Sequence, residues 1–200
     1  ISKIYSQDEL PDALKNEKIE DYGDSLILPG LIDMHLHAPQ FAFRGLGMDM
    51  ELLDWLNTYT FPEEAKYKDI EYAKKAYKKF VDTLSKSYST RAVVFATLHT
   101  DATILLMDML EESGLKCFVG KVNMDRNSTD ELIETTESSI DSTVKWLDIC
   151  KDRYKNIKPI ITPRFIPSCS DELMKELGKI RGDIYGLQSH LSENPKEVEW

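Results

Sequence analysis

Cysteine is scarce in this sequence, and its three cysteines lie far apart. Cys117, Cys150 and Cys169 form no closely spaced pair. Because disulfide scaffolds and cysteine-only zinc sites use paired cysteines, the sequence argues against both classes of protein. Unpaired cysteines are typical of a reducing compartment, so we expect a cytoplasmic protein.

Long apolar runs and an excess of basic charge are absent as well. No stretch approaches the roughly 18 apolar residues of a membrane-spanning helix, and residues 1–10 contain no signal-peptide core. The 25 Lys and Arg against 35 Asp and Glu give a formal net charge of −10. Since an anionic chain repels phosphate groups, we expect no nucleic-acid partner, and the lack of a spanning segment predicts no membrane partner.

Apolar runs alternate with amphipathic segments along most of the chain. The predicted strands are residues 31–37, 92–98, 115–122, 157–161 and 184–191, and the predicted helices are residues 63–87, 101–113, 128–154 and 170–180. Parallel strands need crossover connections of about a dozen residues or more, which the helices supply. The sequence therefore predicts an α/β fold, a partial (β/α)8 TIM barrel with about the first five βα units.

All four histidines follow apolar strands. His35, His37, His99 and His190 each stand near the predicted carboxyl end of a strand, where barrels build their active sites. His35 and His37 project from the same face of one strand, roughly 6–7 Å apart along it, so the two imidazoles can bind one divalent cation. A single histidine in such a place is more often a partly buried structural side chain.

The segment around His190 adds a carboxylate to the candidate site. Glu193 follows His190 three residues later, in a loop. A carboxylate that lies near a metal without binding it can take a proton from water and pass it to a substrate. A glutamate at this place is equally compatible with a helix N-terminus, where the helix dipole favours negative charge.

Arg164 follows the fourth predicted strand and precedes Phe165. A guanidinium at the mouth of a barrel offers five donors to a planar acceptor edge, and an adjacent ring can pack against it. The alternative is an ordinary surface arginine.

Five segments of the chain resemble motifs of the amidohydrolase superfamily: PGLIDMHLHAPQ, ATLHTD, FVGKVNMD, TPRFIPSCSDELMKELG and QSHLSEN. The resemblance is greatest to the branch that deaminates guanine, and it extends over residues 28–200. It implies that these residues form the first part of a metal-dependent hydrolase barrel of the amidohydrolase type. It also implies that residues 1–27 are the remnant of a small N-terminal β-domain.

The resemblance implies a mononuclear site with one Zn²⁺ per subunit. His35, His37 and His190 would be its ligands, and Glu193 would be the proton shuttle. Dinuclear members of the superfamily carry a bridging carboxylated lysine at the end of the fourth strand, where residues 162–164 of this chain are Thr-Pro-Arg. That difference favours the mononuclear type.

The activity implied by the resemblance is the hydrolytic deamination of guanine to xanthine and ammonia, in purine catabolism, by a homodimer. The purine would be bound by Gln40, Arg164 and Phe165 together with His37 and His190. The chain lacks the H-x-E and P-C-x-x-C pattern of the cytidine-deaminase type, so the expected chemistry depends on the barrel histidines.

Two alternatives stay open at this point. The first is a related amidohydrolase that acts on another aminated heterocycle, such as an adenine derivative, cytosine or a triazine. The second is a truncated, non-catalytic chain, because the superfamily completes its metal site with a histidine and an aspartate that are expected beyond Trp200.

Overall fold

A parallel β-sheet forms the centre of the structure. The computed structural model describes residues 3–199. Residues 1 and 2, in the predicted β-domain remnant, and residue 200, in the predicted barrel part, lie outside the described residues. The strands are β1 (Leu31–His37), β2 (Ser89–Phe95), β3 (Lys116–Gly120), β4 (Val122–Asn123), β5 (Ile157–Pro163) and β6 (Gly186–Leu187). They pair in the order β1-β2-β3-β5-β4, with β6 beside β5, and every pairing is parallel.

Strands β3 and β4 are two parts of one predicted strand, interrupted at Lys121. Both parts pair with β5, and Val122 of β4 lies opposite Thr162. Gly120 allows the close approach at the interruption, because a Cβ there would lie 1.7 Å from the Thr162 Oγ1. With β3 and β4 taken together, the strands follow one another around the sheet in chain order. The predicted partial barrel is confirmed.

Helices supply the connections between the strands. They are α1 (Leu52–Trp55), α2 (Phe61–Ala65), α3 (Ile70–Leu84), α4 (Thr100–Ser113), α5 (Thr136–Cys150), α6 (Asp171–Arg181) and α7 (Pro195–Glu199), with a π-helical turn over Leu56–Thr60. Gly114 ends α4 in the left-handed region, at φ 77°, where a residue without a side chain is favoured. The predicted bounds of α4 and α6 agree with the structure to within one residue.

The helix predicted over residues 128–154 is shorter than expected. It begins at Thr136, because the hydroxyl of Thr135 caps its first turn. The residues before the cap form a short 3-10 turn over Asp130–Leu132, and the Glu134 N–H then donates to the Met124 carbonyl at 3.0 Å. The predicted helix included this segment because the prediction rested on the spacing of apolar residues alone.

The helix predicted over residues 63–87 also begins later than expected. Asp69 caps α3 by accepting hydrogen bonds from the N–H groups of Glu71 and Tyr72, so the long helix starts at Ile70. The preceding residues form α2 and a short 3-10 turn instead. The bend between these elements brings α2 close to the carboxyl end of the sheet.

The last predicted strand, residues 184–191, is reduced to the two-residue strand β6. Pro163 of the neighbouring strand has no N–H to donate, so a regular ladder cannot continue past it. Pairing resumes at one parallel bridge between Phe165 and His190. This bridge places His190 at the carboxyl end of the sheet.

Two clusters of buried apolar side chains stabilise the fold. The larger one lies between the helices and the sheet and includes Phe80, Val94, Leu106, Leu110 and Trp146. The smaller one consists of Leu56, Phe61, Phe95, Val122, Met124, Leu132 and Phe165. Phe95 is the last residue of β2, Val122 belongs to β4 and Phe165 follows β5 by two residues, so the smaller cluster forms a rigid base beneath the carboxyl ends of the strands.

The segment before β1 contains two short 3-10 turns, Gln7–Glu9 and Asp12–Leu14. No strand occurs within residues 3–27, and the assignment of this segment to a small β-domain stays a prediction. Among the described helices, none combines the length and the apolar character that crossing a membrane requires.

Candidate metal centre and active site

Three histidines converge at the carboxyl end of the sheet. His35 and His37 come from the end of β1, and His190 comes from the bridge to Phe165. One nitrogen of each ring lies within 4.8 Å of the others. The Nε2 atoms of His37 and His190 are 3.0 Å apart. The structure thus places the three predicted ligands around one point, and no other group of this kind occurs among residues 3–199.

A backbone carbonyl determines the tautomer of His190. Its Nδ1 lies 2.7 Å from the carbonyl oxygen of Arg164, which only accepts hydrogen bonds, so Nδ1 carries the proton. In the neutral ring, Nε2 then presents a lone pair toward the Nε2 of His37. Metal-binding histidines are commonly oriented by such a contact on the opposite nitrogen.

Burial keeps two of the three rings neutral. It lowers the pKa of His37 well below its ordinary value, and the nearby Arg164 guanidinium and the other two imidazoles lower it further. Burial also lowers the pKa of His190 to about 4, against the opposing effect of its bond to the Arg164 carbonyl. Since a cation binds the neutral imidazole, these rings are in the binding form at neutral pH.

The donor set fits a borderline-soft divalent cation. Three imidazole nitrogens converge without a thiolate, and such ligands suit Zn²⁺, Cu²⁺, Fe²⁺ and Ni²⁺ better than Mg²⁺ or Ca²⁺. His37 stacks on Phe95 with ring centroids 4.5 Å apart and planes at 13°, and the Phe95–His190 centroid distance is also 4.5 Å. The ring of Phe95 therefore closes one side of the cluster with an apolar surface.

A cavity of about 340 Å³ adjoins the three histidines. All the site residues predicted from the sequence line it: His35, His37, Gln40, Arg164, Phe165, His190 and Glu193. Its other walls are Leu36, Phe41, Arg44, Leu52, Trp55, Leu56 and Phe80. The volume lies within the usual range of small-molecule sites, and apolar walls around a few polar groups are typical of them.

Arg164 is buried, which contradicts its interpretation as a surface arginine. It is 3% exposed, and its guanidinium donates to both carboxylate oxygens of Glu64, with N–O distances of 2.5 and 3.1 Å. Glu64 itself is 1% exposed and comes from α2. The sequence did not predict Glu64 as a site residue, because the only local signal is a Glu-Glu pair in the first turn of a short helix.

Glu193 lies at the mouth of the cavity, in a loop that Glu197 holds. The Glu197 carboxylate accepts hydrogen bonds from the N–H groups of Ser192, at 3.0 Å, and Glu193, at 2.7 Å. Ser192 adopts a left-handed conformation with φ 56°. Partial burial raises the pKa of the Glu193 carboxyl and the nearby Glu197 carboxylate raises it further, while His35 and Arg164 act in the opposite direction.

His99, the fourth histidine at a strand end, does not join the cluster. It is the N-cap residue of α4, and its carbonyl accepts from the Thr103 N–H at 3.0 Å. Its Nε2 is buried without a hydrogen-bond partner among the described residues. For this histidine the structure supports the structural role.

A cavity and three converging imidazoles lie at the carboxyl ends of the parallel strands. This is the face at which βα barrel proteins build their sites, so the chain is of that class. Within that class, the chain belongs to the amidohydrolase family, whose family model matches residues 26–200. The predicted superfamily is therefore confirmed.

Several similar proteins are guanine deaminases. The guanine deaminase of Dictyostelium discoideum is 45% identical over 188 residues, which cover 93% of this chain and 42% of that protein. Human guanine deaminase is 46% identical over 176 residues, which cover 86% of this chain and 38% of that protein. The crystal structure of guanine deaminase from C. acetobutylicum, with guanine bound in the active site, matches with a TM-score of 0.91 and 50% identity, covering 94% and 45%. The chain thus spans less than half the length of each of these relatives.

Proposed function

We propose that this chain forms the guanine-binding part, and much of the metal site, of an enzyme that hydrolyses guanine to xanthine and ammonia. The observation that carries the proposal is the common cavity, which joins three convergent imidazoles to Gln40, Arg164, Phe165 and Glu193. The similarity to guanine deaminases, one of them with guanine bound, supports guanine as the substrate.

The metal in this proposal is one Zn²⁺ per subunit, held by His35, His37 and His190. When bound, such an ion supplies Lewis acidity that makes water a competent nucleophile at neutral pH. The chain contributes neutral imidazoles and the carbonyl of Arg164, which orients the ring of His190. The end of β5 offers an arginine rather than the lysine that a dinuclear site uses.

Glu193 moves the protons. The reaction joins the oxygen of water to C2 of guanine and releases the exocyclic amine as ammonia, so both protons of the water must leave that oxygen, one for a ring nitrogen and one for the departing amine. A carboxylate at the cavity mouth can carry them one at a time, accepting each proton and returning it first to the ring nitrogen and then to the leaving amine.

Arg164, Gln40 and Phe165 bind the purine ring. Guanine presents acceptors at O6 and N7, and a guanidinium matches such an edge. The amide of Gln40 can both donate and accept, and the ring of Phe165 offers an apolar face. Buried donors left unpaired by an analogue without the oxo group would discriminate strongly against it.

The test is an activity assay on the intact, zinc-loaded protein. Loss of ultraviolet absorbance and release of ammonia are followed with guanine, and with adenine, cytosine and a triazine at the same concentration. We expect turnover of guanine well above that of the other rings. Faster turnover of another ring, or no turnover of any, would overturn the proposal. The homodimer and the cytoplasmic location stay predictions from the sequence.

A further inference from the structure

The buried carboxylate of Glu64 lies directly beside the cavity. It accepts two hydrogen bonds, both from Arg164, which lies 100 positions later in the sequence. No other partner of the Glu64 side chain occurs among residues 3–199. Because both groups are almost fully buried, the pair is not a solvated surface contact that forms and breaks easily.

The pair determines the direction of the donors that Arg164 has left. A guanidinium is planar and carries five N–H groups, and Glu64 occupies one on each terminal nitrogen. The two hydrogen bonds to Glu64 prevent the guanidinium from rotating, so its three remaining N–H donors point in a defined direction. The guanidinium carbon also lies 5.2 Å from the centre of the Phe61 ring, which supports one face of the plane.

The remaining donors of Arg164 have no partner in the described part of the chain, although the residue lines the cavity. Its backbone carbonyl meanwhile accepts from the N–H and Nδ1 of His190, at 3.0 and 2.7 Å. One residue therefore borders both the ligand space and the histidine cluster. A group that orients Arg164 acts at the centre of the site without touching a ligand itself.

We infer that Glu64 is a positioning residue, which holds the Arg164 guanidinium so that its free N–H groups meet the oxo edge of a planar heterocycle in the cavity. This inference rests on the proposed function. It identifies the Glu64 carboxylate as a group on which the substrate selectivity of that function depends. Lysine in place of Arg164 could not be held in this way, since an ammonium has no plane to fix.

The experiment compares Glu64→Gln with the wild type in the intact, zinc-loaded protein. Glutamine keeps the size of the side chain but loses the charge and one of the two acceptors. We expect KM for guanine to rise on the order of 10- to 100-fold, as when other orienting groups are removed, with a smaller change in kcat. The dissociation constant of 2-aminopurine, which lacks the oxo group but keeps N7, is read by its fluorescence and should rise clearly less than KM for guanine.

Glu63→Gln is the matched control. Glu63 precedes Glu64 in the same helix, but it contacts Lys66 and Tyr72 instead of Arg164. We expect its KM for guanine to stay near that of the wild type. If Glu63→Gln raised KM as much as Glu64→Gln, a general disturbance of α2 would explain the effect and the inference would be wrong.

Glu64→Asp covers the case in which Glu64→Gln fails to fold. Aspartate keeps the charge but is one methylene shorter, so it draws the guanidinium away from its place. We expect a folded protein by circular dichroism and a raised KM for guanine, with a smaller change in the binding of 2-aminopurine. A wild-type KM in Glu64→Asp, or an equal loss for both ligands, would overturn the inference. A wild-type protein without activity on guanine would instead contradict the proposed function.

Discussion

At the scale of single residues, the histidines show how much one contact changes the role of a side chain. His190 and His99 both follow strands and both are partly buried. A carbonyl on Nδ1 orients His190 toward His37, whereas the backbone of His99 starts a helix and its Nε2 has no partner in residues 3–199. The sequence places both at strand ends, and only their neighbours separate a candidate ligand from a structural residue.

Glu193→Gln tests the proton shuttle. The amide keeps the size of the side chain but cannot take up a proton, so we expect kcat for guanine to fall by about 10²-fold or more. Binding of guanine should persist, because the ring contacts come from other residues. Glu199→Gln, an exposed glutamate in the following helix, serves as the control and should keep full activity. Undiminished turnover in Glu193→Gln would remove this residue from the mechanism.

The buried ring of His99 predicts a dependence of stability on pH. Burial and the charges of Lys121 and Lys68 lower its pKa in the folded state, while Glu134 acts in the opposite direction. Below the unfolded pKa of about 6.5, the unfolded chain takes up a proton that the folded protein does not. The stabilising contribution is therefore fully present above that pH and is lost as the pH falls toward the folded pKa.

The measurement is urea unfolding of the wild type and His99→Gln at pH 7.5 and pH 5.5. We expect the free energy of unfolding to decrease less in the variant, since it lacks this titrating group. The other buried histidines are present in both proteins, so their contributions to the pH dependence of the free energy of unfolding cancel in the comparison. Equal decreases in both proteins would show that His99 does not contribute.

At the scale of elements, one carboxylate connects the starts of two helices. Asp125 follows β4 and accepts from the N–H and hydroxyl of Ser170, the N-cap of α6, at 2.6 and 2.5 Å. It also accepts from the hydroxyl of Thr136, the first residue of α5, at 2.7 Å. Because these two helices pack on β5, Asp125 holds the element that carries Arg164 at its end.

Asp125→Ala should therefore destabilise the whole fold rather than one loop. Hydrogen bonds to a charged group contribute about 1.5–3 kcal/mol each, and their effects in one cluster are not additive. We expect the free energy of unfolding to fall by about 2–4 kcal/mol in urea titrations. The exposed Asp130→Ala is the control, with an expected change within about 0.5 kcal/mol. Equal effects of the two substitutions would refute the role of Asp125.

At the scale of the whole molecule, the candidate metal site links distant parts of the chain. His37 and His190 are 153 positions apart, and their rings meet only when the sheet is formed. A cation that binds all three imidazoles binds the folded state alone, so it must stabilise the fold. This coupling can be measured without any substrate.

Zinc should raise the melting temperature of the protein, and a chelator should reverse the effect. At a free concentration 100 times the dissociation constant, the stabilisation is about 2.7 kcal/mol. We expect His190→Ala to abolish the shift and His99→Gln to retain it, because the second histidine lies outside the cluster. A shift that survives in His190→Ala would place the bound zinc elsewhere.

The sequence determined the alternation of strands and helices, and with it the barrel class, because hydrophobic periodicity is a local property that survives packing. It also supplied His35, His37, His190 and Arg164 of the cavity wall, because side chains at the carboxyl ends of parallel strands lie at one edge of the sheet. The bounds of α3 and α5 were overestimated, because Asp69 and Thr135 compete with the periodic pattern by capping.

Which of these side chains act together depends on the packing of the folded chain. It separated His99 from the three convergent histidines, fixed the tautomer of His190, and paired Arg164 with Glu64 across 100 positions. Contacts of this kind depend on how helices and strands pack, and no local pattern in the chain encodes them. Burial then sets the charges of the site, because desolvation acts only once the surrounding elements are in place.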